Sequence, residues 1–235
     1  HYLTRDFVPV WLLGRVLDEQ RERAAATRIS VYWKLPSPLY IPPGEYLVPE
    51  FRVTGFLDGT AVGAQTVRIQ YLGRALPPGI GPPAEVTLPW VAPYIPASVD
   101  GGAASSIVNS TEADLNNPYD VPLAVDRFVG RIFVDTADPL NFQAIGTGNV
   151  DIPVYSNLVT VRMGDSAGHV IVRDPTSFGN LFCSMDRSWE VRGTLLRPKG
   201  YIACYIEQDY SGLSNVYQPH IAMHGRRVIA SKDLG

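Results

Sequence analysis

The chain is short of several residue types, and each shortage removes a class of function. It holds only two cysteines, three methionines and four histidines in 235 residues. Cys183 and Cys204 lie in apolar, strand-like surroundings in the second half. Buried free thiols are the expectation there, and the spacing leaves a pairing open. Only Lys34, Lys199 and Lys232 are lysine among 20 basic residues, and 23 acidic residues bring the formal net charge to −3. That balance argues against a broad basic surface, so no nucleic acid is expected as a partner. No run of about 18 apolar residues occurs, so no membrane span is expected. A charged-then-apolar leader of the signal-peptide kind is also not expected. Helix-type composition is confined to Asp18 to Arg28, which has almost no large apolar residue to bury. An exposed short helix or charged loop is expected there.

Turn formers, in contrast, are plentiful. Twenty prolines and 21 glycines are spread along a chain that is 46% hydrophobic, which predicts many short strands joined by turns. In the first half, residues 5–17 (with Pro9 at an edge or bulge), 29–35, 47–57 and 66–72 read as strands. In the second half, strands are expected near 121–134, 141–146, 150–155, 158–163, 169–173, 180–184, 189–197, 201–207 and 217–224. Turn signals about every 8 to 12 residues point to an antiparallel sandwich, and eight or more strands between 118 and 230 fit a jelly roll.

The most ordered stretch by pattern runs from Trp189 to Ile229. Pro198, Lys199 and Gly200 mark a turn feeding the run that begins at Tyr201. The loop from Gln208 to Asn215, with Gly212 and two serines, reads as the bend of a closing hairpin. An echo of this stretch lies near the other end of the chain. Pro43 to Leu47 matches Pro198 to Ile202, and Val67 to Arg74 matches Pro219 to Arg226. Asp6 to Val16 likewise resembles Asp120 to Ile132. A duplicated unit would make a tandem, double sandwich with a shortened first unit, while shared turn chemistry would explain the echo without duplication.

Three regions are therefore expected: an N-terminal β unit (1–76), a proline-rich arm and polar loop (77–117), and a jelly-roll-like β-sandwich (118–235). The density of prolines between Pro77 and Pro96 is expected to forbid a regular ladder. Trp90, Tyr94 and the aliphatics of this arm are expected to dock on this subunit or on a neighbour.

The apparent catalytic motifs do not survive their own requirements. Gly164 to Gly168 (Gly-Asp-Ser-Ala-Gly) fits the nucleophile pattern Gly-x-Ser-x-Gly and is close to the Gly-Asp-Ser-Gly-Gly of trypsin-like proteases. A trypsin-like triad needs its histidine well upstream, and only His1 precedes Ser166. A hydrolase elbow needs a helix after the serine, whereas His169 to Arg173 is strand-like. These residues are expected to form a hairpin loop. His220 and His224 would share a face of one strand about 13 Å apart, too far for one metal ion. Asp114, Asp120, Asp126, Asp135, Asp138 and Asp151 sit where turn formers are common, and nothing pairs two of them as a glycosidase needs. Tyr94, Tyr119, Tyr210 and Tyr217 suit either sugar stacking or packing at a protein interface. No catalytic, cofactor or metal residue is nominated; the nominated interface residues are Pro78, Pro83, Trp90, Tyr94 and Tyr119.

Asn117 to Leu123 (Asn-Pro-Tyr-Asp-Val-Pro-Leu), Leu196 to Ile202 (Leu-Arg-Pro-Lys-Gly-Tyr-Ile) and Ile221 to Ile229 give residues 115–230 a recognisable style. In it the chain resembles the jelly-roll structural proteins of bacteriophage and other viral particles. The resemblance implies a non-enzymatic virion component of the shell, a decoration, a vertex or the tail. Its expected location is the virion, without a cofactor. Its expected partners are copies of itself, as a trimer or other symmetric oligomer, and other virion proteins. The rival expectation is a carbohydrate-binding sandwich that adsorbs to a host glycan through a cluster of exposed aromatics. A glycan hydrolase ranks third.

Overall fold

A computed structural model describes residues 3–4, 7–16, 31–35, 38–51, 68–77, 80, 83–97, 99–100, 105–135, 143–145, 158–183, 187–209, 211 and 216–230 of the chain. The first elements are a helical turn α1 (Val10–Leu13) and strands β1 (Arg15–Val16), β2 (Val31–Tyr32), β3 (Glu85–Tyr94), β4 (Val99–Asp100), β5 (Ser106–Asn109) and β6 (Leu115–Asn116). There follow β7 (Leu123–Asp135), β8 (Gln143–Ile145), β9 (Val159–Asp165), β10 (Val170–Ser177), a second helical turn α2 (Phe178–Leu181), β11 (Ser188–Leu196), β12 (Tyr201–Gln208) and β13 (Val216–Ala230).

Eight of these strands form two antiparallel sheets. One has the order β3-β13-β7-β11 and the other β5-β12-β9-β10. The short strands β4, β6 and β8 pair with β13, β12 and β7 respectively. Counted along the chain, the eight main strands fall in the orders 1-8-3-6 and 2-7-4-5, which is the jelly-roll arrangement of two packed sheets. The expected all-β jelly-roll sandwich is the fold observed.

Alternation along each strand builds the core. Ile202, Cys204 and Ile206 of β12 and Val159, Val161 and Met163 of β9 point inward against Phe128 and Ile132 of β7, Ile221 and Met223 of β13, and Trp90 and Tyr94 of β3. Gly130 is required in this layer, because a Cβ there would come within 2.5 Å of the Phe182 ring.

The prolines of residues 77–96 do not prevent a ladder. Residues 85–94 pair with β13 over ten consecutive positions, Glu85 with Ala230 through Tyr94 with Ile221. Backbone N–H groups alternate sides along a strand, and Val91 donates away from β13, to the Leu3 carbonyl at 3.1 Å. Pro89 and Pro93 share the parity of Val91, so the donors they lack would not have served β13. Proline is tolerated on that side of a strand. The roll thus begins at Glu85, upstream of the sandwich start expected at 118.

One of the three connections expected in the second half differs. β11 and β13 lie in one sheet and β12 in the other, so the loop after Gln208 crosses between sheets and is no hairpin. A loop of that length does not force its two strands together as a two-residue turn would. The true hairpin is β9–β10, where Val170 pairs with Gly164. The Pro198–Gly200 turn is present, closed by Gly200 N–H to the Arg197 carbonyl at 2.9 Å with Lys199 at φ 58.

In the first region, residues 10–13 form a helical turn where a strand was expected. Pro9 opens it, and Leu12 N–H returns to the Pro9 carbonyl at 2.8 Å. Residues 47–51 and 68–72, expected in strands, have neither ladder nor helix. The second sandwich implied by the echo therefore has no counterpart among the described residues. Residues 18–28 and 150–155 lie outside the described residues. Residues 178–181, within which the expected strand at 180 begins, are a helical turn. Cys183, expected to be buried, is exposed, whereas Cys204 is buried in the core.

Candidate functional site

The Gly164–Gly168 motif is the hairpin loop it was expected to be. Asp165 Oδ1 accepts the N–H groups of Ala167 at 2.9 Å and His169 at 2.8 Å, and Gly168 takes the positive φ of 88 that closes the bend. Asp165 Oδ2 lies 2.8 Å from His169 Nδ1. Burial would raise the Asp165 pKa, but the hydrogen bonds from the His169 side chain and backbone outweigh it and lower the pKa. Ser166 Oγ is engaged elsewhere, accepting the Tyr201 N–H at 3.2 Å. Here the aspartate–histidine pair shapes a turn, and the serine ties that turn to β12.

His220 and His224 share the outer face of β13, and each ring is held by the protein. His224 Nε2 donates to the Leu12 carbonyl at 2.7 Å. His220 Nε2 donates to Gln218 Oε1 at 2.8 Å, and Gln218 Nε2 continues to the Pro96 carbonyl at 2.7 Å. Burial pushes the His220 pKa down to about 3, so the ring is neutral near neutral pH. Arg131, opposite His220 in the ladder, is buried on the same face.

Three of the carboxylates have local partners. Asp114 Oδ2 accepts from the Thr111 N–H at 2.6 Å and its hydroxyl at 2.7 Å. Asp120 stands 3.2 Å from the Lys199 ammonium, with both side chains exposed. Asp126 is the extra residue of a bulge in β7 and lies 3.4 Å from the Arg226 guanidinium. Asp135 ends β7, and Asp138 and Asp151 lie outside the described residues.

Of the residues nominated for an interface, three converge inside this chain. Trp90 and Tyr94 are buried in the core, 3% and 6% exposed. The Trp90 indole N–H donates to the Asn116 carbonyl at 3.1 Å, and its ring meets Tyr119 edge-on at 5.1 Å. Tyr119 in turn carries the Arg227 guanidinium 3.4 Å over its ring. Between the two possible docking partners, these rings take their own subunit. Pro83 is exposed just before β3, and Pro78 lies outside the described residues. Asn117, missed as a structural residue, anchors this corner. Its amide donates to the Val121, Leu196 and Arg197 carbonyls, and its Oδ1 accepts the Tyr119 N–H. The Asn-Pro pair signalled a turn but not which strands it would bind.

Among the described residues, two surfaces are open to partners. The outer face of the β5-β12-β9-β10 sheet carries Thr160, Arg162, Ala203, Tyr205, Glu207, Ile107 and Asn109 in register. Tyr205 is exposed on this face, and Arg162 sits 5.8 Å over its ring.

The second surface is the apolar stretch before the roll. Every residue from Arg68 to Pro77 is exposed. Ile41, Tyr46, Val48, Phe51, Ile69, Tyr71, Leu72, Leu76 and Ile80 are all large, apolar and exposed, with Tyr46 and Leu72 at 78%. Apolar residues exposed singly are ordinary, whereas a close run such as Ile69, Tyr71 and Leu72 is surface available to a partner. The alternation of residues 66–72 was visible in the sequence; that residues 68–72 stay exposed was not.

The chain matches no family model, no curated protein and no solved structure. Among the described residues, no helix is long and apolar enough to cross a membrane.

Proposed function

We propose that this protein is a non-enzymatic structural component of a viral particle, a shell subunit or a decoration or vertex component that works as a symmetric oligomer. The observation that carries the reading is the nine-residue series of exposed apolar side chains between Ile41 and Ile80, joined to a jelly-roll sandwich. The jelly roll is a recurring architecture of viral shells, though it also hosts lectins and cupins. Fold alone therefore does not supply the function. The apolar series supplies the physical motive for assembly, since surface of this kind gains roughly 25 cal/mol per Å² when a neighbour removes it from water. Part of that gain is offset by the ordering cost of association.

The test is electron microscopy and sedimentation of the full-length chain at high concentration. Closed rings or shells of defined symmetry are expected. A compact monomer at every concentration overturns the proposal.

A further inference from the structure

We infer that the outer face of the β5-β12-β9-β10 sheet is a two-fold contact between copies of this chain, with Arg162 of each copy paired to Glu207 of the other. This contact uses none of the residues between Ile41 and Ile80, so it stands apart from the assembly surface above. The face is laid out by register. Asn109, Tyr205 and Arg162 stand side by side across β5, β12 and β9, and Ile107, Glu207 and Thr160 form the next row. On the other side of Tyr205, the paired Ala203 and Gly164 leave a low step. Ile107 is 59% exposed and Tyr205 43%, so the face offers apolar surface as well as charge.

The charges select the occupant. Arg162 and Glu207 are both exposed, and neither forms an ion pair with a described residue of its own chain. Arg162 rests 5.8 Å over the Tyr205 ring, and Glu207 accepts the Ser105 hydroxyl at 3.3 Å. Both contacts leave the charge in place. Asp165 is taken up by the hairpin bend with His169. The remaining charged residues of these strands, Arg173 and Asp174 of β10, are one of each sign. The face is therefore close to neutral and does not repel its own copy.

Neighbouring strands stand about 4.8 Å apart, and every second residue along a strand lies about 6.8 Å on. Arg162 is one strand across from Tyr205, and Glu207 is two residues along from it. A two-fold axis lying in the face, midway between Arg162 and Glu207, sets each against the opposite charge of the partner copy. By the same spacings that axis runs beside Tyr205, so the two rings meet. It also lays Ile107 over the Ala203–Gly164 step, where small residues leave room. The strands of the two copies then cross steeply, as packed sheets allow. A patch that meets itself across a two-fold axis needs this self-complementarity. Four strands of about seven residues give about 450 Å² of face per copy. The pair would bury about 900 Å², in the range of transient contacts, so the dimer is reversible.

Charge reversal in the full-length chain tests this, read by native mass spectrometry and sedimentation. Arg162→Glu alone sets two negative charges against each other at both ends of the contact, and Glu207→Arg sets two positive ones. Each variant should dimerise about tenfold more weakly than the unaltered chain. Mixed one to one, the two variants should form mixed dimers in excess, because both cross-copy pairs are then opposite in sign. Within each variant chain the like charges remain, so this rescue reports on the contact between copies. Melting temperatures in dilute solution should be unchanged, as expected for exposed positions. Single variants that dimerise as well as the unaltered chain, or that mix only in statistical proportion, overturn the pairing. A chain that stays monomeric overturns it too, as does a monomer whose face retains a polysaccharide that Tyr205→Ala releases. Larger assemblies that persist unchanged in both variants overturn this contact and leave the surface between Ile41 and Ile80 standing.

Discussion

The two sheets of the roll share one core, yet their outer faces differ in kind. On the β3-β13-β7-β11 sheet, Val91, Val129 and Ala222 are buried beneath Leu12, with Val8, Leu13 and Trp33 packed around them. Residues 221–225 of β13 are buried on both sides, and a strand covered on both sides loses the alternation seen in a half-buried one. The other sheet keeps it. β12 alternates between buried Ile202, Cys204, Ile206 and Gln208 and residues that reach solvent. One sandwich therefore holds a dry face made by its own N-terminal region and a wet face open to water. The difference shows that residues 3–4 and 7–13 belong to the fold as a third layer, held by the Leu3 carbonyl on β3 and the Leu12 carbonyl on His224.

The largest effect is expected where both sheets depend on one side chain. Phe128 is fully buried in the shared core, stacked 5.9 Å from Trp189. Phe128→Ala should lower stability by about 3–5 kcal/mol in chemical denaturation. Next is the cover itself. Leu12 is 0% exposed, and Leu12→Ala should cost about 2–4 kcal/mol. A loss below about 0.5 kcal/mol would show that the N-terminal layer contributes nothing to the dry face.

The buried His220 gives a smaller, pH-dependent effect. Its folded pKa is depressed to about 3 by burial, below the ordinary value of about 6.5. The unfolded chain binds this proton first, so the contribution is fully present above about pH 6.5 and is lost as pH falls toward 3. Stability should fall with acid through that window by up to about 1.4 kcal/mol per pH unit. His220→Gln should flatten the slope between pH 6.5 and 4.5, read from melting curves. The smallest effect belongs to the wet face. Tyr205→Ala should change stability by no more than about 0.5 kcal/mol, since half the ring is already in water. A loss as large as that of Leu12→Ala would erase the distinction between the faces.

Much of the second half was legible because its signals are local. The β9–β10 bend follows from Asp165 and Gly168, whose side chain and left-handed backbone act within five residues. The turn at Pro198–Gly200 is equally self-contained. The strands expected near 121–134, 158–163, 169–173, 189–197, 201–207 and 217–224 each overlap a strand of the fold. Residues 85–94 were misread because proline was counted without regard to parity. Pro89 and Pro93 stand four apart, on the side of the strand facing away from β13. The candidate surface was half legible. Tyr71 and Leu72 were visible as strand residues, whereas Trp90 and Tyr94 looked like an arm and proved to be core.

Local alternation and turn chemistry, which act over a few residues, were enough to place most strands and turns of the second half and to make the fold an all-β sandwich. Tertiary structure decided which sheet each strand joins, that Leu12 and His224 meet across 212 positions of sequence, and which apolar residues are left without cover. Those outcomes depend on ladder partners and packing layers far away along the chain. No local pattern encodes them, since an alternating strand is equally satisfied by any neighbour of matching register.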